Sequence, residues 1–261
     1  MSSDQPVPEA AVAAPEIAQG LPIFYKNPVP LNAQEHRRTS LRKDFSHAFA
    51  RHSNAVPLNV AEIAHASHVY PIAFTADEHA LPMAIVGLRD SENLFLASND
   101  HWMQGVYIPA YVRRYPFILS TMQDSEQLIL CVDQPDEMLA EDDAGRFFDD
   151  NGNTTQLAEK VMTFCQSYNA AALATQAFSQ ALREAGVLTR HEVEVSIGAD
   201  RRNKFSGFLA VDPDKLAALD DAVFLEWRRK GWLPLVYAHM SSEPHWQRLG
   251  ALLKARLENE P

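Results

Sequence analysis

Phe117-Ile118-Leu119-Ser120-Thr121-Met122, a polar turn, and then Leu128-Ile129-Leu130-Cys131-Val132 form the stretch that decides the fold class. Both runs are apolar and β-prone, and the turn between them leaves no room for a helical crossover. Parallel neighbours need a connection of a dozen residues or more, so these two strands pair antiparallel. The same pattern extends upstream. Tyr70-Pro71-Ile72-Ala73-Phe74 and Met83-Ala84-Ile85-Val86-Gly87-Leu88 are strand candidates, and Arg89-Asp90-Ser91-Glu92 turns the chain into a third, Asn93-Leu94-Phe95-Leu96. Closely spaced antiparallel hairpins point to an α+β fold and away from a doubly wound parallel sheet.

Downstream the period changes from two to 3.6. Leu157, Val161, Phe164, Tyr168, Ala171, Phe178 and Leu182 recur at helical spacing, with Asn153 as N-cap, Gln156 at N3 and Gly186 at the C′ position. One long helix, or two with a kink near Asn169, fits equally well; its stripe reads first as core and second as a partner-helix face. Val193 to Ile197 and Phe205 to Val211 are a further strand pair. Asp212-Pro213 and Asp220 start helices, Gly231 stops one, and Leu233–Met240 and Trp246–Leu257 supply two more apolar faces. Val56 to His68 reads as a helix capped by Asn59, with Glu62 three residues on. The expected organisation is therefore a tail over 1–20 and a single domain over 21–261. That domain is sheet-rich and β-hairpin-rich over 55–150 and helix-rich over 153–258. Residues 2–20 are rich in Ala, Pro and Glu with no aromatic residue, a composition that reads as disorder.

The net charge of −11, from 34 acids against 23 bases, argues against nucleic acid and anionic lipid as partners. The first cation is Lys26, so no charged n-region precedes the short Ala-Val-Ala-Ala run, and no segment approaches the length of a membrane span. Cys131 and Cys165 form no CxxC and read as packed, reduced thiols. A cytoplasmic protein without membrane insertion is the expectation.

No two glycines are close enough for GxG or GxSxG, and GxxxxGK is missing too, so the motif-level P-loop, dinucleotide fingerprint and nucleophile elbow are excluded. Glu62-x-x-His65-x-x-His68 places three metal-competent side chains at three-residue spacing. HExxH is not present and no cysteine lies nearby, so histidines on the surface of an amphipathic helix are the favoured reading. Asp149-Asp150-Asn151-Gly152-Asn153 resembles a calcium loop only superficially. Aligned on its glycine, Phe147 and Ala158 fall where carboxylates are required. Asp142, Asp143, Asp149 and Asp150 read as a solvated acidic loop, and the serines after His239 as a helix end.

Trp102 to Phe117 is the most distinctive segment, packing Tyr107, Tyr111, Arg113, Arg114 and Tyr115 together with two prolines. On one reading its aromatic faces and paired arginines bind a peptide, carboxylate or sugar. On the other, which weighs more, Trp102, Tyr107 and Phe117 anchor a loop to the sheet and the arginines pair with local acids.

Several stretches together resemble the SapC family of bacterial proteins. They are Pro28-Val29-Pro30-Leu31-Asn32, Tyr70-Pro71-Ile72, Gly87-Leu88-Arg89-Asp90 with Asn93-Leu94-Phe95, Tyr107 to Leu119, and Lys230-Gly231 through Tyr237-Ala238-His239. The likeness runs from about Pro28 to Leu253. It implies a surface-layer context and a link to outer-membrane receptors and tryptophan-halogenase-like proteins, and it carries no catalytic residue onto this chain. With no cofactor motif and no catalytic set, the expected function is an accessory protein that binds another protein, using Trp102, Tyr107, Tyr111, Arg113, Arg114 and Tyr115, or the C-terminal helices, as the contact surface. A small-ligand site or unfamiliar enzyme around His65, His68, Trp102 and Arg113 is the alternative, and a surface-layer component the third reading.

Overall fold

A computed structural model describes residues 21–121, 127–134, 137–142, 145–198 and 202–259. The expected tail over 1–20, and Met122 and Asp143 from the readings above, lie outside them. In chain order the elements are β1 (Pro28–Pro30), β2 (Thr39–Leu41), β3 (Ala55–Pro57), α1 (Ile63–Ala66), β4 (Ile72–Thr75), β5 (Pro82–Ile85), α2 (Ala110–Arg114), β6 (Phe117–Thr121), β7 (Leu128–Asp133) and β8 (Leu139–Glu141). There follow α3 (Gln156–Glu184), β9 (Leu188–Ser196), β10 (Arg202–Val211), α4 (Pro213–Ala217), α5 (Asp221–Arg229), α6 (Leu233–Ser241) and α7 (His245–Asn259). The fold is α+β, and every strand pairing is antiparallel.

The β6–β7 pair is the antiparallel hairpin expected, with Phe117 opposite Val132 through Thr121 opposite Leu128, and β1 adds to the free side of β7. A second sheet runs β3-β5-β4-β10-β9. Its order joins the two halves of the chain, because β10 pairs with β4 through Phe208–Thr75 and Leu209–Phe74. The largest core lies on this sheet. Phe74, Phe178, Leu182, Val195, Trp227, Val236, Leu249 and Leu253 bury together there, at about 2 kcal/mol for each large side chain taken from water. A smaller core under the first sheet gathers Phe117, Val132, Phe147, Phe148 and Cys165.

Helix α3 is unbroken over 29 residues. Its N-cap is Thr155, not Asn153. Asp149 holds Asn153 through its backbone N–H at 2.8 Å and its amide at 3.0 Å, leaving Thr155 in extended conformation to cap Ala158. Asp149 thus closes an Asx-type turn rather than a metal loop, and the donors around it keep its carboxyl below the usual range. The helix expected over Val56–His68 shrinks to α1, since Val56 and Pro57 are drawn into β3 by pairing with Ala84 and Met83. Asn93–Leu96 is no strand either. Leu94 and Phe95 are buried, but the backbone builds no ladder: Leu94 N–H bonds the Val86 carbonyl at 2.8 Å, Met103 N–H bonds the Phe95 carbonyl at 2.8 Å, and Leu96 makes an isolated bridge to Trp102.

Candidate functional site

The two candidate groups picked out by sequence, Glu62 with its histidines and the Trp102–Tyr115 segment, meet in space. Glu62 is buried and fully used. Its Oε1 accepts the Asn59 N–H at 2.9 Å, and its Oε2 accepts the Tyr107 hydroxyl at 2.9 Å and the Ala110 N–H at 2.7 Å. One carboxylate therefore fixes the start of α1 and the start of α2 together. Burial first, then the Glu62 charge, pushes the Tyr107 phenol up to about 12. His65 and His68 are exposed; His65 stacks on Tyr107 with centroids 5.8 Å apart. Among the described residues no group of three His, Cys, Asp or Glu side chains is placed to hold a metal ion.

The expected contact surface is mostly interior. Trp102, Tyr111, Arg114 and Tyr115 are buried, Tyr107 is half-buried, and Arg113 alone of the six is exposed. Trp102 donates from Nε1 to the Tyr70 hydroxyl at 2.9 Å, and that hydroxyl donates to the Tyr107 carbonyl. Tyr111 donates to the Ile23 carbonyl at 2.9 Å, and Tyr115 to Asp133 Oδ2 at 2.9 Å. Neither arginine pairs with an acid among the described residues. Arg113 bonds the Ile108 carbonyl at 3.0 Å and lies over Tyr107 and Phe164. Arg114 lies over the rings of Tyr168, Tyr111 and Tyr25 at 4.3, 4.8 and 5.4 Å and donates from Nε to the Tyr25 hydroxyl at 3.2 Å. Burial works against the guanidinium charge, but the Tyr25, Tyr168 and Tyr111 oxygens outweigh it and hold the Arg114 pKa above its ordinary value. This buried cation is housed by ring faces.

Other stretches are structural for equally concrete reasons. A Cβ on Gly87 would stand 2.0 Å from the Glu92 carbonyl oxygen, so only glycine fits. Asn93 accepts the Phe95 N–H at 2.9 Å and donates to the Ala50 carbonyl at 3.2 Å. His239 takes the Val211 N–H on Nε2 at 3.1 Å, and Ser242 takes the Ile72 N–H at 2.9 Å, so the end of α6 ties β10 to β4. Burial lowers the His239 pKa to about 4 and keeps the ring neutral. Cys131 and Cys165 are buried free thiols, both pushed up to about 11 by burial.

The open chemistry lies next door, in a cavity of about 750 Å³ lined by Lys26, Arg42, Asp44, Phe45, Ser46, Ala48, Phe49, Tyr115, Glu137 and Met138. Its floor is aromatic: Phe49 stacks on Tyr115 at 4.2 Å, and Phe24 closes edge-on at 5.2 Å from Phe49. Its rim carries two cations and two acids, Lys26, Arg42, Asp44 and Glu137, none of which forms an ion pair among the described residues. Only Tyr115 of the sequence-selected six touches this cavity. The rest of it comes from a largely polar stretch, Lys26 to Phe49, and from Glu137 and Met138 just before β8. The available signal was Phe45 and Phe49, two large apolar residues four apart in that polar run.

Fold and site together define an α+β protein with one aromatic-floored, charge-rimmed cavity beside a densely bonded tyrosine–arginine interior. The SapC family model matches residues 31–249. The chain belongs to the SapC family. No curated protein and no solved structure matches it. No helix among the described residues is long and apolar enough to cross a membrane.

Proposed function

We propose that this SapC protein is a cytoplasmic accessory protein, and that the cavity at Tyr115 receives an apolar anchor side chain from a protein partner. One observation carries the reading: an aromatic floor of Phe45, Phe49 and Tyr115 ringed by four charges that have no ion-pair partner among the described residues. Protein–protein hot spots have this anatomy, with an apolar pocket at the centre and a polar rim that excludes water. The partners suggested by the family resemblance are outer-membrane uptake systems and tryptophan-halogenase-like proteins; a surface-layer connection belongs to the same resemblance.

A second reading rests on the volume, which lies in the range of pockets that enclose small molecules. A ligand with an aromatic ring and charges of both signs would match floor and rim alike.

Capture from the native host with mass spectrometry tests both. The tagged chain is compared with Ala48→Trp, which fills the cavity. A near-stoichiometric protein retained by the wild type and lost from Ala48→Trp, at unchanged melting temperature, is the expected result. Retention by both removes the cavity from the interface. A wild-type chain that carries a metabolite in native mass spectrometry, and no protein, replaces the first reading with the second.

A further inference from the structure

The five-stranded sheet ends in two unlike edges. β3 is three residues long and terminates in Pro57, which has no N–H to offer, so that edge is closed to further pairing. β9 is nine residues long, has no proline, and pairs on one side only, with β10. Outside that hairpin no hydrogen bond reaches the backbone N–H and C=O groups of residues 188–194 among the described residues. Helix α7 covers one face of the strand. Gly250 packs so closely there that a Cβ would fall 2.5 Å from the Ser196 oxygen and from Val195. The opposite face presents Arg190, Glu192 and Glu194 to solvent. Glu192 is bridged to Lys204 at 2.7 Å and Glu194 to Arg202 at 3.1 Å, both within the hairpin. Arg190 has no ion-pair partner among the described residues.

We infer that this edge pairs with the same edge of a second copy of the chain, antiparallel, about a two-fold axis through His191. Two-fold pairing of a strand with itself sets residues at equal distances from the axis opposite one another, on the same face of the joined sheet. With the axis at His191, Arg190 stands opposite Glu192 of the second copy, and the reverse pair follows by symmetry. Thr189 meets Val193 of the second copy, and the overlap extends from Leu188 to Glu194. Moving the axis to Arg190 sets arginine against arginine; Glu192, Val193 or Glu194 as centre sets glutamate against glutamate. Among these registers the one at His191 alone places no like charges opposite each other. Charges on an edge strand discourage indiscriminate pairing, and this order of charges admits one partner edge, its own. The lone Arg190 acquires a carboxylate in the pair. The joined sheet has ten strands and buries the backbone groups that β9 leaves open.

Sedimentation of the full chain over a concentration series tests the pairing. The expected result is a reversible monomer–dimer equilibrium. Arg190→Glu and Glu192→Arg each weaken self-association about tenfold or more, because each sets like charges opposite at two symmetry-related places. Mixing the two variants restores the dimer, since each substituted side chain then meets its opposite. A wild type that stays monomeric at every concentration overturns the inference. So does a mixture no more associated than the separate variants, provided each variant keeps the wild-type circular dichroism.

Discussion

On one side of Tyr115 the polar side chains of α1, α2 and α3 are consumed by one another; on the other, the charges around the cavity face water without ion pairs among the described residues. Glu62 serves three donors, and Arg114 is held by three tyrosine rings. Among the described residues the side chains of Lys26, Asp44 and Glu137 make no hydrogen bond or ion pair, and Arg42 makes a single hydrogen bond, from Nε to the Leu139 carbonyl at 3.0 Å. An unusual cluster of aromatic and charged residues is here the frame, while the residues open to solvent look ordinary in sequence. Buried polar groups must all be satisfied, which makes their sequence environment distinctive; a solvated rim makes no such demand.

The comparison breaks most easily at Glu62. Glu62→Ala strips acceptors from Asn59, Tyr107 and Ala110 at once and is expected to cost about 3–5 kcal/mol in urea unfolding. Glu62→Gln, which keeps one acceptor oxygen, should cost less. A loss below about 1 kcal/mol for the alanine variant would show that the three donors find water, and the interior would lose its special status. The arginine pair sharpens the contrast further. Arg114→Ala empties a space among three rings and is expected to cost about 2–3 kcal/mol, against about 1 kcal/mol or less for the exposed Arg113→Ala. Equal costs would erase the distinction between the two. The smallest effect belongs to the rim: Lys26→Ala with Arg42→Ala should move stability by no more than about 0.5 kcal/mol. A larger shift in the denaturation midpoint would make these cations part of the frame as well.

Much of the fold was legible because local rules and tertiary structure agree. The hairpin from Phe117 to Val132, the stripe of α3, the caps at Asp212 and Asp220 and the left-handed Gly186 and Gly231 each announce themselves within a few residues. The failures have the opposite origin. Val56–Pro57 becomes strand only because β5 arrives beside it, and Asn93–Leu96 is buried without a ladder because its apolar side chains are held by the core and its backbone by Asn93. The site was legible in part. Tyr107 to Tyr115 stands out in the sequence, but whether Arg114 points inward is decided by Tyr25 and Tyr168, distant in the chain. The cavity itself was hidden for the same reason, since Lys26, Phe49, Tyr115 and Glu137 come together only in three dimensions.

The pairing of β4 with β10 has a consequence for the birth of the protein on the ribosome. Thr75 has left the peptidyl-transferase centre long before its partner Phe208 is made, so the middle of the central sheet stays open while the intervening chain is synthesised. At roughly 5–20 residues per second that wait lasts on the order of 10 s. During it the apolar strand Ile72–Thr75 has β5 on one flank and nothing on the other, which makes the nascent first half a natural client for a chaperone that holds exposed strands.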